Sequence, residues 1–85
     1  MPYSLYILQS QMNGMYYVGI SPKLQYRLEF HNYLGHGFTS RYHPWVLVYS
    51  KLYPNRYLAQ AAEKKIKSRK SKAYIKRIID GFVDF

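Results

Sequence analysis

Few residues of this chain could do chemistry, and the scarcest type is the most informative. There are four carboxylates: Glu29, Glu63, Asp80 and Asp84. Asp80 and Asp84 sit in the C-terminal tail, and Glu29 falls near the far side of a helical stretch from Leu24 and Leu28. That leaves Glu63, next to the apolar Ala62 and followed by Lys64 and Lys65. Sites that hold two metal ions need several carboxylates, and this chain cannot assemble such a cluster. A metal here would be one hard, Mg²⁺-like ion held by Glu63 and mostly by water. The plainer role for Glu63 is an ion pair with a neighbouring lysine, and the residue types leave both open.

Arg27 and His31 are four residues apart, so on a helix they share one face. A guanidinium fork suits a phosphate, and an imidazole exchanges protons near neutral pH. A solvated helix face is the alternative. His36 and His43 flank Arg41 in a later loop, but three histidines without a His-x-x-x-His pair and without cysteine make a poor zinc site. Among eleven tyrosines, Tyr6 and Tyr17 fall on either side of Asn13-Gly14, so a hairpin there brings them together across two strands. Such tyrosines are commonly sheet packing. A phenol becomes a useful base only with help from a cation or metal, because its ordinary pKa is near 10.

The charge points to a polyanionic partner. The 85 residues carry 13 Lys+Arg against 4 Asp+Glu, a formal net charge of +9. Eight of the basic residues crowd between Lys64 and Arg77. Lys64, Lys65, Lys67, Arg69, Lys70 and Lys72, with Arg41 from the loop, are the expected phosphate contacts, since counterion release dominates non-specific nucleic-acid binding. The basic stretch lacks the aromatic and leucine face of a membrane-surface helix. No apolar run approaches the length of a membrane span, and the N-terminus lacks the pattern of a secretory signal. The expected location is the cytoplasm. There is no cysteine, so neither disulfides nor thiolate chemistry enter. At this length, residues 1–85 are expected to form one domain held by its core alone.

The elements that must position these groups follow from the pattern. Tyr3 to Gln9 reads as a buried strand, Gln11 to Gly14 as a type I′ hairpin turn, and Met15 to Ile20 as the returning strand. Ser21-Pro22 is expected to open a helix running to about Leu34, with Leu24, Leu28 and Tyr33 inward, ended by Gly35. Trp45 to Leu52 reads as a third strand. Asn55 is expected to cap a helix over Arg56 to Ser68 with Leu58, Ala59, Ala62 and Ile66 inward. Ser71 opens a last helix with Tyr74, Ile75, Ile78 and Ile79 inward, ending at Gly81. The order is β-β-α-β-α-α, an α/β (α+β) unit.

These residues together resemble the GIY-YIG nuclease superfamily, above all its small single-domain bacterial members. The resemblance rests on Leu5-Tyr6-Ile7, Tyr17-Val18-Gly19, Arg27-Leu28, His31-Asn32, Pro44 to Tyr49 and Ala62 to Lys67, and it spans Tyr3 to Ile79. Of the first motif only the tyrosine is kept, and Ile20 stands where some members carry a lysine. The resemblance implies a three-stranded antiparallel sheet flanked by helices. It also implies hydrolysis of DNA phosphodiesters with one divalent ion, Mg²⁺ or Mn²⁺, in a setting such as DNA repair or recombination. Carried onto this chain, Glu63 would be the metal ligand and Tyr17 the general base or the group that orients the attacking water. Tyr6 would assist, Arg27 would hold the scissile phosphate, and His31 would support the phosphate or proton transfer. A lone domain of this kind would bind DNA through phosphates with weak sequence preference. Two other readings stand beside it. One is a nucleic-acid-binding module of little activity on the same scaffold. The other is a metal-independent ribonuclease using His31 with His36 or His43.

Overall fold

The computed structural model describes residues 1–34 and 41–83, with Tyr33 and Leu34 described by backbone alone. The elements are β1 (Tyr3–Ser10), β2 (Tyr16–Ser21), α1 (Leu24–Glu29) continued by a π-helical turn (Phe30–Leu34), β3 (Trp45–Tyr53), α2 (Arg56–Arg69) and α3 (Lys72–Ile79). The strands form one antiparallel sheet in the order β2-β1-β3. The expected α+β class and element order hold. No helix among the described residues is long and apolar enough to cross a membrane.

Strand β1 is central, and Leu5, Tyr6, Ile7 and Leu8 are all buried. This is why it reads as a continuous apolar run rather than an alternation. Leu5 and Ile7 face α2 and α3, packing with Val18, Ala62, Ile66 and Ile78. Tyr6 and Leu8 face the other way, packing with Trp45 and against Tyr17, Leu24 and Leu28. Each of these aliphatic side chains contributes roughly 1.5–3 kcal/mol on burial.

The β1–β2 hairpin is not the type I′ turn expected from Asn13-Gly14. Type I′ needs two residues with positive φ, and of the loop residues only Gly14 has one, at +78°. The loop is wider, with Ser10 N–H bonded to Met15 O at 2.8 Å and Gly14 N–H to Ser10 O at 2.9 Å. Ser10 Oγ decides this by accepting from the amides of Met12 and Asn13. The strand returns at Tyr16, one residue later than expected.

Helix α1 also differs from its expectation. Ser21 belongs to β2, and its Oγ accepts from Lys23 N–H at 3.0 Å without capping the helix. The α-helix stops at Glu29 and the chain widens into the π-helical turn, a form that recurs at functional sites. The expected stop at Gly35 lies outside the described residues.

In β3 the pairing with β1 slips by one, from Ile7↔Tyr49 to Leu8↔Leu47, so Val48 is a bulge. Asn55 caps α2 as expected, accepting from Leu58 N–H at 2.9 Å. Ala59, Ala62 and Ile66 face inward, but Leu58 is 42% exposed rather than inward. The two alanines let the helix lie close to the sheet, and Leu58 falls about 100° round the helix from Ala59, towards solvent. Lys70 then takes a left-handed conformation at φ +48°. Ser71 caps α3 through Tyr74 N–H. Gly81, at φ +85°, ends α3 with Phe82 N–H bonded to Arg77 O and Gly81 N–H to Ile78 O, a Schellman closure.

Candidate functional site

The site is built on the α1 side of the sheet, where Tyr6 pairs with Gly19 in the register of β1 and β2. A Cβ on Gly19 would lie 2.5 Å from Tyr6 Oη and 2.7 Å from its Cζ. The missing side chain is therefore what lets the Tyr6 ring lie flat over β2. Tyr6 is 1% exposed, and its hydroxyl lies 3.0 Å from His31 Nε2. The Tyr17 ring, two residues before Gly19, lies 4.7 Å from the His31 ring and 6.4 Å from that of Tyr6. Tyr17 is half-buried, so of the two tyrosines it is the one a substrate can reach.

Arg27 and His31 arrive from α1 and the π-helical turn. The Arg27 guanidinium lies 4.9 Å above the Phe30 ring, near enough to the Tyr6 hydroxyl for its charge to act there. Which of the two donates in the Tyr6–His31 bond follows the imidazole tautomer. His31 Nδ1 is buried and has no hydrogen-bond partner among the described residues. Asn32 fixes the end of this segment. Its side chain donates to Trp45 O at 3.1 Å and accepts from Trp45 N–H at 2.5 Å, tying the turn to the first residue of β3.

The electrostatics follow from burial. Desolvation raises the Tyr6 pKa above its ordinary value; the nearby Arg27 guanidinium opposes this, while Tyr17 and Glu63 add to it. Tyr6 is therefore a protonated phenol at neutral pH. Desolvation and then the Arg27 charge push His31 down to about 4. At 2% exposure, His31 is a neutral imidazole that meets Tyr6 rather than a cation facing a phosphate. A ribonuclease pair with His36 or His43 finds no support in this placement: His43 is exposed on the surface, and His36 lies outside the described residues.

Glu63 projects from the face of α2 next to Ala62. Its charge is the smallest of the influences on the Tyr6 hydroxyl. Its Oε2 takes Lys67 Nζ at 3.1 Å, so both roles left open for Glu63 draw on the same carboxylate. No group of three His, Cys, Asp or Glu side chains converges among the described residues. A single carboxylate with open water positions fits a hard ion of the Mg²⁺ type and not a zinc-type cage.

The expected basic face divides into parts. Lys67, Lys70 and Lys72 line a groove beside β2, with Lys72 Nζ 5.7 Å from the centre of the Tyr16 ring. Lys64 lies with Tyr57, Gln60 and Ala61 on the outer side of α2. Arg69 turns onto the Tyr74 ring at 4.8 Å. Lys65 and Arg41 are exposed. Sequence reasoning did not single out Gly19 and Asn32 as structural parts of the site. The signal for Gly19 is its register opposite Tyr6, and nothing in the spacing marks Asn32.

Comparison with known proteins bears on this geometry. A family model, the GIY-YIG catalytic domain, matches residues 2–77. The solution NMR structure of the UPF0213 protein BH0048 from Bacillus halodurans is similar, with a TM-score of 0.61 and 21% identity over 94% of this chain and 84% of that one. That likeness carries the fold. No curated protein matches the chain. The matched span takes in both tyrosine strands, the Arg27–His31 segment and Glu63, and by it the chain belongs to the GIY-YIG nuclease family.

Proposed function

We propose that the chain is a divalent-metal-dependent endonuclease that hydrolyses DNA phosphodiester bonds, in a setting such as repair or recombination. The supporting observation is the gathering of Tyr17, Arg27 and the Tyr6–His31 pair at one end of the sheet, where the charge of Glu63 also acts. Glu63 would hold one Mg²⁺ or Mn²⁺ ion, which when bound supplies a Lewis acid beside the phosphate. Arg27 carries the forked donor that suits the non-bridging oxygens. Tyr17 orients the attacking water and relays its proton, the phenol oxygen taking it while the phenol's own proton passes to solvent; the new phosphorus–oxygen bond forms as the bond to the leaving oxygen breaks, and that oxygen takes a proton from water. Tyr6 and His31 are positioning residues, since both are buried and hold each other in place. The lysines bind phosphates with weak sequence preference.

The test is nicking of supercoiled plasmid and cleavage of branched DNA in Mg²⁺, in Mn²⁺ and in EDTA, with Glu63→Gln beside the wild type. Metal-dependent cutting that Glu63→Gln abolishes without unfolding is the expected outcome. Equal cutting by Glu63→Gln would remove Glu63 as the ligand. A second reading, a binding module of little activity, draws on the Lys67–Glu63 contact, which occupies the only carboxylate near the cluster among the described residues. Salt-sensitive DNA binding with no cutting in either metal would favour that reading.

A further inference from the structure

A groove of about 430 Å³ runs along the free edge of β2, on the side of the sheet away from α1. Met15, Tyr16, Tyr17 and Val18 line it from the strand side, and Ile66 and Ile75 from the helices. Three lysines line it as well: Lys67 from the last turn of α2, Lys70 at the left-handed junction and Lys72 from the first turn of α3. Among the described residues no carboxylate lines it. The size lies within the usual range for small-ligand sites. The make-up, apolar and aromatic side chains beside three lysines, is amphipathic in the way a nucleotide is.

The groove is continuous with the candidate site at two points. Tyr17 lines the groove and also packs 4.7 Å from the His31 ring. Lys67 lines it and also holds Glu63 at 3.1 Å. Whatever lies in the groove is a neighbour of whatever is bound at Tyr17 and Glu63.

We infer that the groove receives one unpaired nucleobase of the DNA strand being cut, with the flanking phosphates on Lys70 and Lys72. This rests on the endonuclease reading and names its substrate class. That class is DNA with a single-stranded nucleotide beside the scissile bond, as in a flap, gap or branch. Continuous duplex offers phosphates to the lysines but keeps its bases stacked. To fill an apolar recess it must flip a nucleotide out, which costs a few kcal/mol. An unpaired nucleotide has no such cost, and stacking on aromatic or apolar side chains favours it whatever the base.

The test measures binding in EDTA, where cutting does not intervene. Fluorescence anisotropy compares an eight-nucleotide single strand, the same strand with one abasic position moved along it, and the matching duplex. Loss of affinity by roughly five-fold or more at one abasic position is expected, the size of a stacked base, together with weaker duplex binding. Lys72→Ala, an exposed residue outside the proposed catalytic cluster, should lower the salt slope by about 0.7. In NMR spectra, thymidine monophosphate should shift Val18, Ile66 and Ile75, and inorganic phosphate should not. Indifference to every abasic position, or equal shifts from phosphate alone, would overturn the inference. So would concentration-dependent shifts of the same residues without DNA, which would mean that a second copy of the chain occupies the groove. The two readings separate cleanly. Metal-dependent nicking with no abasic effect removes only the groove proposal. An abasic effect with no nicking in any metal removes only the nuclease.

Discussion

His31 offers the most quantitative test of the site. Its imidazole titrates at about 4 in the folded chain, against 6.5 when unfolded. The folded value is the lower one, so between these values the unfolded chain binds more protons. The stability His31 contributes is complete above pH 6.5 and is lost as the pH falls towards 4. At about 1.36 kcal/mol per pKa unit the full swing is about 3 kcal/mol. By pH 4.5 about 2.5 kcal/mol of it is gone. The perturbation is His31→Phe, which removes the titrating ring and keeps an aromatic in its place. The assay is urea unfolding of both proteins at pH 7.5 and pH 4.5. His31→Phe gives up the bond to Tyr6 at both pH values, so only the difference between the two slopes counts. The carboxylates and the basic surplus are common to both chains and cancel. The wild type should lose about 2.5 kcal/mol more than the variant on acidification. An imidazole midpoint near 6.5 by NMR, or parallel losses in the two proteins, would refute the reasoning. The corollary is that His31 is neutral throughout the physiological range, so its protonation places no limb near pH 6.5 on a cleavage profile.

Four further outcomes follow from the same geometry. Gly19→Ala sets a methyl 2.5 Å from Tyr6 Oη over a buried ring. It should cost about 1–3 kcal/mol, read as a fall in Tm of roughly 5–20 °C, with cleavage reduced alongside. Tyr17→Phe should cut cleavage about 10²–10⁴-fold, the usual worth of a proton-transfer group, with little change in the urea midpoint. Tyr6→Phe should instead lose about 1–3 kcal/mol of stability, because it leaves His31 Nε2 buried without its partner. Equal kinetic effects of the two tyrosine variants would contradict this division of roles. Asn32→Ala removes both bonds to the Trp45 backbone. It should cost about 2 kcal/mol and speed hydrogen exchange at the Trp45 amide.

The elements whose logic is local could be read from the chain. The apolar run in β1, the caps at Asn55 and Ser71 and the closing Gly81 each carry their own signal within a few residues. Where a choice depends on a partner, reading failed. Asn13-Gly14 suggests a two-residue turn, but the hydroxyl of Ser10 gathers two amides and widens the loop. The period of α1 gives no warning that the helix widens at Phe30. Glu63 could be picked by scarcity alone. Tyr6 and Tyr17 could be set apart from the other tyrosines only by resemblance, because the physical reason, the bare Cα of Gly19 under the Tyr6 ring, exists only once the two strands are in register. The apolar run of β3 hides its bulge for a similar reason, since Val48 is as strand-like as its neighbours.

That bulge has a consequence for chain length. Trp45 and Leu47 belong to the α1 side of the sheet, whereas Tyr49 and Tyr53 belong to the α2–α3 side. All four positions are odd-numbered, so an unbroken strand would send them the same way. Val48 acts as a frame shift, after which the same alternation is read in the opposite phase. Deleting it would restore a regular ladder and at the same stroke misdirect one half of the strand, taking either Trp45 from beneath Tyr17 or Tyr49 from beside Ile7. Many apolar side chains could stand in for Val48, but the strand cannot do with one residue fewer. What β3 specifies at this position is a count rather than an identity.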